Sequence, residues 1–204
     1  MLVALAPCMG NAEIIYGNTT TPTITSIWNT FGGTPEVADH VFFASKERTL
    51  SALTCSFFVN EIDPSGTFDV TYRIRAVDAG RPGDVLAEAT LAGYNYSQNN
   101  EAIRIEMPAI SLPNDVFVSG QISNGHTELS GTYGVNFANP PEIGYSDPEE
   151  FFSNSGDGFI EGNGLGLGWA NMFARVEAIP EPISLLALGG ALTTWLIRRK
   201  ALGR

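Results

Sequence analysis

The stretch TFDVTYRIRAVD, residues 67–78, decides the reading of the chain. Phe68, Val70, Tyr72, Ile74 and Ala76 alternate with Thr67, Asp69, Thr71, Arg73 and Arg75. Side chains of a strand point to opposite faces with period two, so this segment predicts a strand with one face on a core and one in water. Working outward, EAIRIEMP (101–108) repeats the pattern with Ile103, Ile105 and Met107 inward. Further strands are predicted at 23–31, 37–45, 48–60, 84–93, 115–123, 131–138 and 168–178. Turn signals separate them at Asp63-Pro64-Ser65-Gly66, Gly80-Arg81-Pro82-Gly83, Leu112-Pro113-Asn114 and Asn124-Gly125. Short strands in series, with no convincing helix between them, predict an all-β, antiparallel β-sandwich of jelly-roll type over residues 13–178.

A chain of 204 residues suits one such domain plus short segments at its ends. Charge is unevenly placed. All 22 acids lie at or before Glu181, whereas Arg198, Arg199, Lys200 and Arg204 follow residue 197. The body therefore carries 7 basic residues against 22 acids, a net of −15, and the tail carries +4. A body this acidic repels phosphates, so nucleic acid is not an expected partner. Of the two cysteines, Cys8 falls in a segment expected to be removed. Cys55, among Leu53, Phe57 and Phe58, reads as a buried inert thiol rather than part of a disulfide framework.

The ends differ from the body. MLVALAPCMGNA, residues 1–12, reads as a signal-peptide remnant: an apolar run broken by Pro7, then the small residues Gly10-Asn11-Ala12. Its lack of a basic beginning places the expected start codon upstream. At the other end, residues 183–197 carry no charge and predict a transmembrane helix. At about 1.5 Å per residue it spans roughly 22 Å, which Trp195 and the snorkelling Arg198, Arg199 and Lys200 would extend. The basic cluster predicts a cytoplasmic end, with the acidic body outside.

Pro180-Glu181-Pro182, a Gly- and Leu-rich apolar run and Arg198-Arg199-Lys200, in that order at the C-terminus, closely resemble the PEP-CTERM sorting segment. That segment is also catalogued as an ice-binding protein C-terminal domain. The resemblance covers residues 179–204. It implies export, a transient inner-membrane anchor, cleavage near the Pro-Glu-Pro by an exosortase-type membrane protease, and delivery to the cell surface or extracellular matrix. The body is similar to the single-domain sandwiches found ahead of such tails, through Ala38-Asp39, Pro82-Gly83-Asp84-Val85-Leu86-Ala87 and Phe173-Ala174-Arg175-Val176-Glu177. These short patterns bear on fold rather than on activity.

Candidate chemistry concentrates in PPEIGYSDPEEFFSNSGDGFIEGNGLG, residues 140–166, read as a long acidic loop. Its carboxylates, Asp147, Asp157 and Glu161 foremost, are hard oxygen ligands of the kind Ca²⁺ takes, although a solvated long loop is the favoured reading of them. No other cofactor is indicated. Tyr145 and Phe151, with Tyr94, Tyr96 and Phe152, are rings of the kind that stack on a sugar of an exopolysaccharide, although plugging the ends of the core is the favoured reading of most of them. Enzymatic chemistry is not expected. The histidines His40 and His126 sit in no HExxH, and no Gly-x-Ser-x-Gly elbow marks a nucleophile. Glu149 and Glu150, adjacent in an acidic run, read as solvated rather than as a glycosidase pair. Thr19-Thr20-Thr21-Pro22-Thr23 lacks the repetition an ice-binding array needs. The leading expectation is an adhesive or structural surface protein. The alternatives are a Ca-dependent glycan-binding module and a secreted polysaccharide hydrolase.

Overall fold

The computed structural model describes residues 11–19, 24–28, 36–45, 49–60, 67–95, 100–123, 132–138, 140–154, 156–161 and 171–179. Among them there is no helix, and thirteen strands form two antiparallel sheets. The strands are β1 (Glu13–Asn18), β2 (Ile24–Trp28), β3 (Glu36–Phe42), β4 (Thr49–Asn60), β5 (Thr67–Asp78), β6 (Arg81–Asn95) and β7 (Asn100–Glu106). They continue with β8 (Asp115–Ser123), β9 (Thr132–Ala138), β10 (Tyr145–Asn154), β11 (Phe159–Glu161), β12 (Asn171–Met172) and β13 (Ala174–Ile179). One sheet runs β1-β13-β4-β9-β12, with β7 on β4 and β2 on β9; the other runs β11-β10-β3-β8-β5-β6. The fold is β-sandwich-like. The predicted transmembrane helix at 183–197, the Pro180-Glu181-Pro182 motif, the basic cluster 198–200 and the signal-like residues 1–10 lie outside the described residues.

The alternation in β5 is what packs the sheets together. Phe68, Val70, Tyr72 and Ile74 are all buried and face Leu53, Cys55 and Phe57 of β4 and Ile103 and Ile105 of β7 in one core. Tyr72 stacks on Phe57, with ring centroids 6.1 Å apart and planes 9° from parallel. Its hydroxyl donates to the Ile103 carbonyl at 2.8 Å and accepts from the Cys55 amide at 3.3 Å. One side chain thus bolts β5 of one sheet to β4 and β7 of the other, and satisfies its polar atom while doing so. Gly120 makes room for this pair, since a Cβ there would lie 3.1 Å from the tip of Phe57. Burying rings of this size stabilises by roughly 1.5–3 kcal/mol each. Burial also raises the Cys55 thiol well above its ordinary value, with the charge of Asp39 adding to the effect. The thiol is free and buried, as the sequence predicts, and its raised pKa disfavours the reactive thiolate.

Three features differ from the sequence reading. The turn after β5 is at Ala79-Gly80, not Gly80–Gly83; both residues have positive φ (50° and 76°), as a two-residue hairpin loop requires. Pro82 and Gly83 instead begin β6, where an edge strand can forgo the missing N–H. The strand β1 was not predicted. The supposed loop at 140–166 contains β10 and β11, a hairpin added to the edge of β3.

On the outer face of the first sheet, Arg104 and Glu106 of β7 and Arg175 and Glu177 of β13 flank Thr54 and Ala52 of β4. Arg104 bonds Glu177 at 2.8 Å and also Glu106, and Arg175 reaches Glu177 at 3.2 Å. The Arg104 guanidinium holds the Glu177 carboxyl below its ordinary value of 4.5. A carboxyl depressed by folding stabilises above its unfolded pKa and loses that contribution as pH falls through the folded value. The Glu177 contribution is therefore present at neutral pH and declines as pH falls below about 4.5. Glu177→Gln should lower the thermal midpoint at pH 7, and the deficit should shrink as the pH is taken below about 4.5 toward 3. An equal deficit at both pH values would show that charge is not what the side chain contributes.

Candidate functional site

The outer face of the six-stranded sheet gathers the chemistry that the core does not use. Strand register puts Tyr145 of β10 opposite Phe42 of β3, and Phe42 opposite Asp115 of β8. Directly opposed residues share a face, so the three form a row across adjacent strands. One step along, His40 stands opposite Phe117, and Phe117 opposite Arg75 of β5. The His40 ring stacks on Phe117 at 4.7 Å and 19°, and lies 4.5 Å from Phe42. Its Nε2 donates to Asp115 Oδ2 at 3.0 Å. Phe152 meets Phe117 edge-on at 5.4 Å. The rings are buried toward the sheet centre and open at its edge: Phe117 and Phe152 are covered, Phe42 is half-buried, and Tyr145 is 56% exposed, its ring 5.6 Å from Phe42.

A charge network fills the middle of the same face. Glu36 accepts from Arg75 Nε at 2.8 Å and Nη2 at 2.9 Å, and from the Ser119 hydroxyl at 2.6 Å. Arg73 reaches Glu36 at 3.3 Å and bonds Glu88 and Gln121. Arg75 lies against the Phe159 ring at 5.1 Å, which ties the β10–β11 hairpin to β5. The bidentate Arg75 pair is the geometry in which a half-buried ion pair is worth most. These charges are mutually satisfied and read as architecture.

Asp39, next to His40 in sequence, points the other way because strand neighbours alternate. It is fully buried and accepts from Ser146 Oγ at 2.9 Å and from the Met172 amide at 2.9 Å. Asn18 Nδ2 donates to the carbonyls of Ala138, Asn171 and Met172. This inner cluster fastens β1, β3, β9 and β10 around β12. Burial, and then the charge of Asp39, push the neighbouring Tyr16 hydroxyl well above its ordinary pKa, so it stays protonated.

The residues singled out from sequence are not brought to one place. Asp157 is exposed in the turn between β10 and β11, whose Gly156 and Gly158 amides donate to Asn154 Oδ1 at 2.8 and 3.2 Å. Glu161 ends β11 opposite Phe152, and Asp147 is half-buried where β10 bulges away from β3. Among the described residues no three His, Cys, Asp or Glu side chains stand close enough to hold a metal ion. Of the five candidate rings, Tyr145 is exposed, Tyr94 packs against the core and Phe152 is buried. Tyr96 and the Phe151 side chain lie outside the described set, although the Phe151 backbone pairs with Asp39. The His40–Asp115 pair and Phe42 were missed. Only the strand register joins residues so far apart in sequence.

No protein-family model and no curated protein matches the chain. Among solved structures it is similar to the clostridial cysteine protease Cwp84 after propeptide cleavage, with a TM-score of 0.56 and 14% identity. That match covers 84% of this chain and 41% of the other, so the chain spans less than half the length of its structural neighbour. At this identity the likeness shows the fold alone.

Proposed function

We propose that this chain is an exported cell-surface or extracellular-matrix protein: a jelly-roll sandwich carried as cargo by a C-terminal sorting segment. The observation that carries the reading is the order Pro180-Glu181-Pro182, apolar run and Arg198-Arg199-Lys200 at the chain's end. Two features of the folded part support it. β13 lies between β1 and β4, β7 pairs with β4, and the other sheet contains the run β3-β8-β5-β6, an order that supports the jelly-roll reading. β13 ends at Ile179, one residue before the first proline of the motif, so folded cargo and tail meet without a linker. The acidic body keeps such a protein soluble outside the cell and away from nucleic acid. The role that follows is adhesive or structural rather than catalytic. The exosortase-type protease is the processing partner and the inner membrane a transient one.

The test is fractionation of the full chain with a C-terminal epitope, in a Gram-negative host with and without an exosortase. Loss of the epitope and release of the body are expected only with the protease present, and a Glu181→Ala variant should stay membrane-bound. Identical fractionation of wild type and variant in both hosts would remove the sorting reading.

A further inference from the structure

We propose that the Tyr145–Phe42–Asp115 row is a binding site for a neutral pyranose polysaccharide, and that it needs no metal ion. The row crosses three neighbouring strands, β10, β3 and β8. At a strand spacing of about 4.8 Å it is roughly 10 Å wide. An exposed ring at one end offers the flat apolar surface on which the C–H face of a sugar stacks. Tyr145 is the most exposed aromatic among the residues whose side chains are described, and its ring is held by Phe42 at 5.6 Å and 49°. At the other end Asp115 carries the carboxylate a sugar hydroxyl would bond. One oxygen accepts from His40 Nε2 at 3.0 Å, which fixes the orientation of the group, and the side chain is 34% exposed. His40 is itself clamped between Phe42 and Phe117. The site thus couples a stacking platform to a pre-oriented acceptor. Strands rather than loops position it, so little ordering entropy is lost on binding.

Charge chooses the class of sugar. The body carries a net −15, and Asp115 adds a negative group within the row, so polyanionic glycans are repelled while neutral ones are admitted. The inference does not rest on the sorting reading, because it concerns a surface present wherever the protein resides.

The experiment is affinity electrophoresis of the full chain, kept in solution by a mild non-ionic detergent, through gels containing hydroxyethylcellulose, dextran, xylan, galactomannan or alginate. Retardation by at least one of the four neutral polymers, none by alginate, and no change with EDTA are expected. Tyr145→Ala should weaken that retention about tenfold or more, Tyr145→Trp should preserve it, and Asp115→Asn should reduce it. Tyr145 is exposed, so its variants should keep the wild-type thermal midpoint, which separates lost binding from lost fold. Failure of all four neutral polymers, or retention unchanged by Tyr145→Ala, would overturn the proposal. Retention abolished by EDTA would overturn its metal-free part and move the binding to a metal-held site.

Discussion

A chain ending at Phe173 is expected to stay unfolded, while one ending at Ile179 should unfold cooperatively. β13 is not a terminal appendage. It lies inside its sheet, paired with β1 from Glu13↔Ala178 to Asn18↔Ala174 and with β4 from Ala174↔Cys55 to Ile179↔Thr49. Its Ala174, Val176 and Ala178 are buried in the common core, and Glu177 anchors the outer arginine network. Each ladder hydrogen bond contributes on the order of 1 kcal/mol net, and a buried aliphatic side chain about 1.5–3 kcal/mol. Two ladders plus these side chains together match the 5–15 kcal/mol by which a domain is stable at all. Urea titration followed by far-ultraviolet circular dichroism compares the two chains. A cooperative transition of equal slope in the shorter one would show that the sandwich closes without its last strand. Under the proposed sorting role, the expected result would mean that the cargo becomes compact only once residue 179, next to Pro180, has emerged.

How much of this was legible in sequence depended on how each strand is solvated. β5 and β7 bury one face and wet the other, and both were read from period two alone. β1 was invisible because Ile15, Tyr16, Gly17 and Asn18 are all buried, so nothing alternates. It runs where the sheets meet, with its Ile15 carbonyl taken by Ala44 and its Gly17 bridged to Ile143. β10 hid for a different reason. Its first half, SDPEE, has the composition of a loop, and the structure absorbs it as a bulge between the Ser146↔Val41 and Phe151↔Asp39 pairs. Tyr145 could be named as a ring, but its neighbours could not. Residues 42, 115 and 145 meet only through two strand registers, and a one-residue slip in either would send Phe42 or Asp115 to the other face. Asp39 and His40 are adjacent in sequence, but the pleat sends them to opposite faces.

Gly144→Ala is expected to lower the thermal midpoint by about 10 °C and to weaken glycan retention with it. Gly144 has φ +79°, where a non-glycine residue costs about 1–2 kcal/mol. A Cβ there would lie 2.5 Å from the Phe42 carbonyl oxygen and 3.0 Å from Tyr16 Cδ2. A backbone atom cannot swing aside as a side-chain tip can, so the chain must shift, adding a further 1–3 kcal/mol. The sum, about 3 kcal/mol, corresponds to roughly 6–12 °C in a domain of this size. Gly93→Ala is the control: φ is +64° but nothing lies within 4 Å of the added atom, so only the conformational cost should appear, about half of the effect. The position also matters for the row. Gly144 lies between Ile143, bridged to Gly17, and Tyr145, paired with Phe42. Its close approach to β3 is what brings the Tyr145 ring beside Phe42. Pushing the backbone off Phe42 therefore disturbs stability and the binding row through one displacement. A variant no less stable than Gly93→Ala would mean that residues 143–145 do not lie against Phe42 in solution, and the row would lose the strand pairing on which it is built.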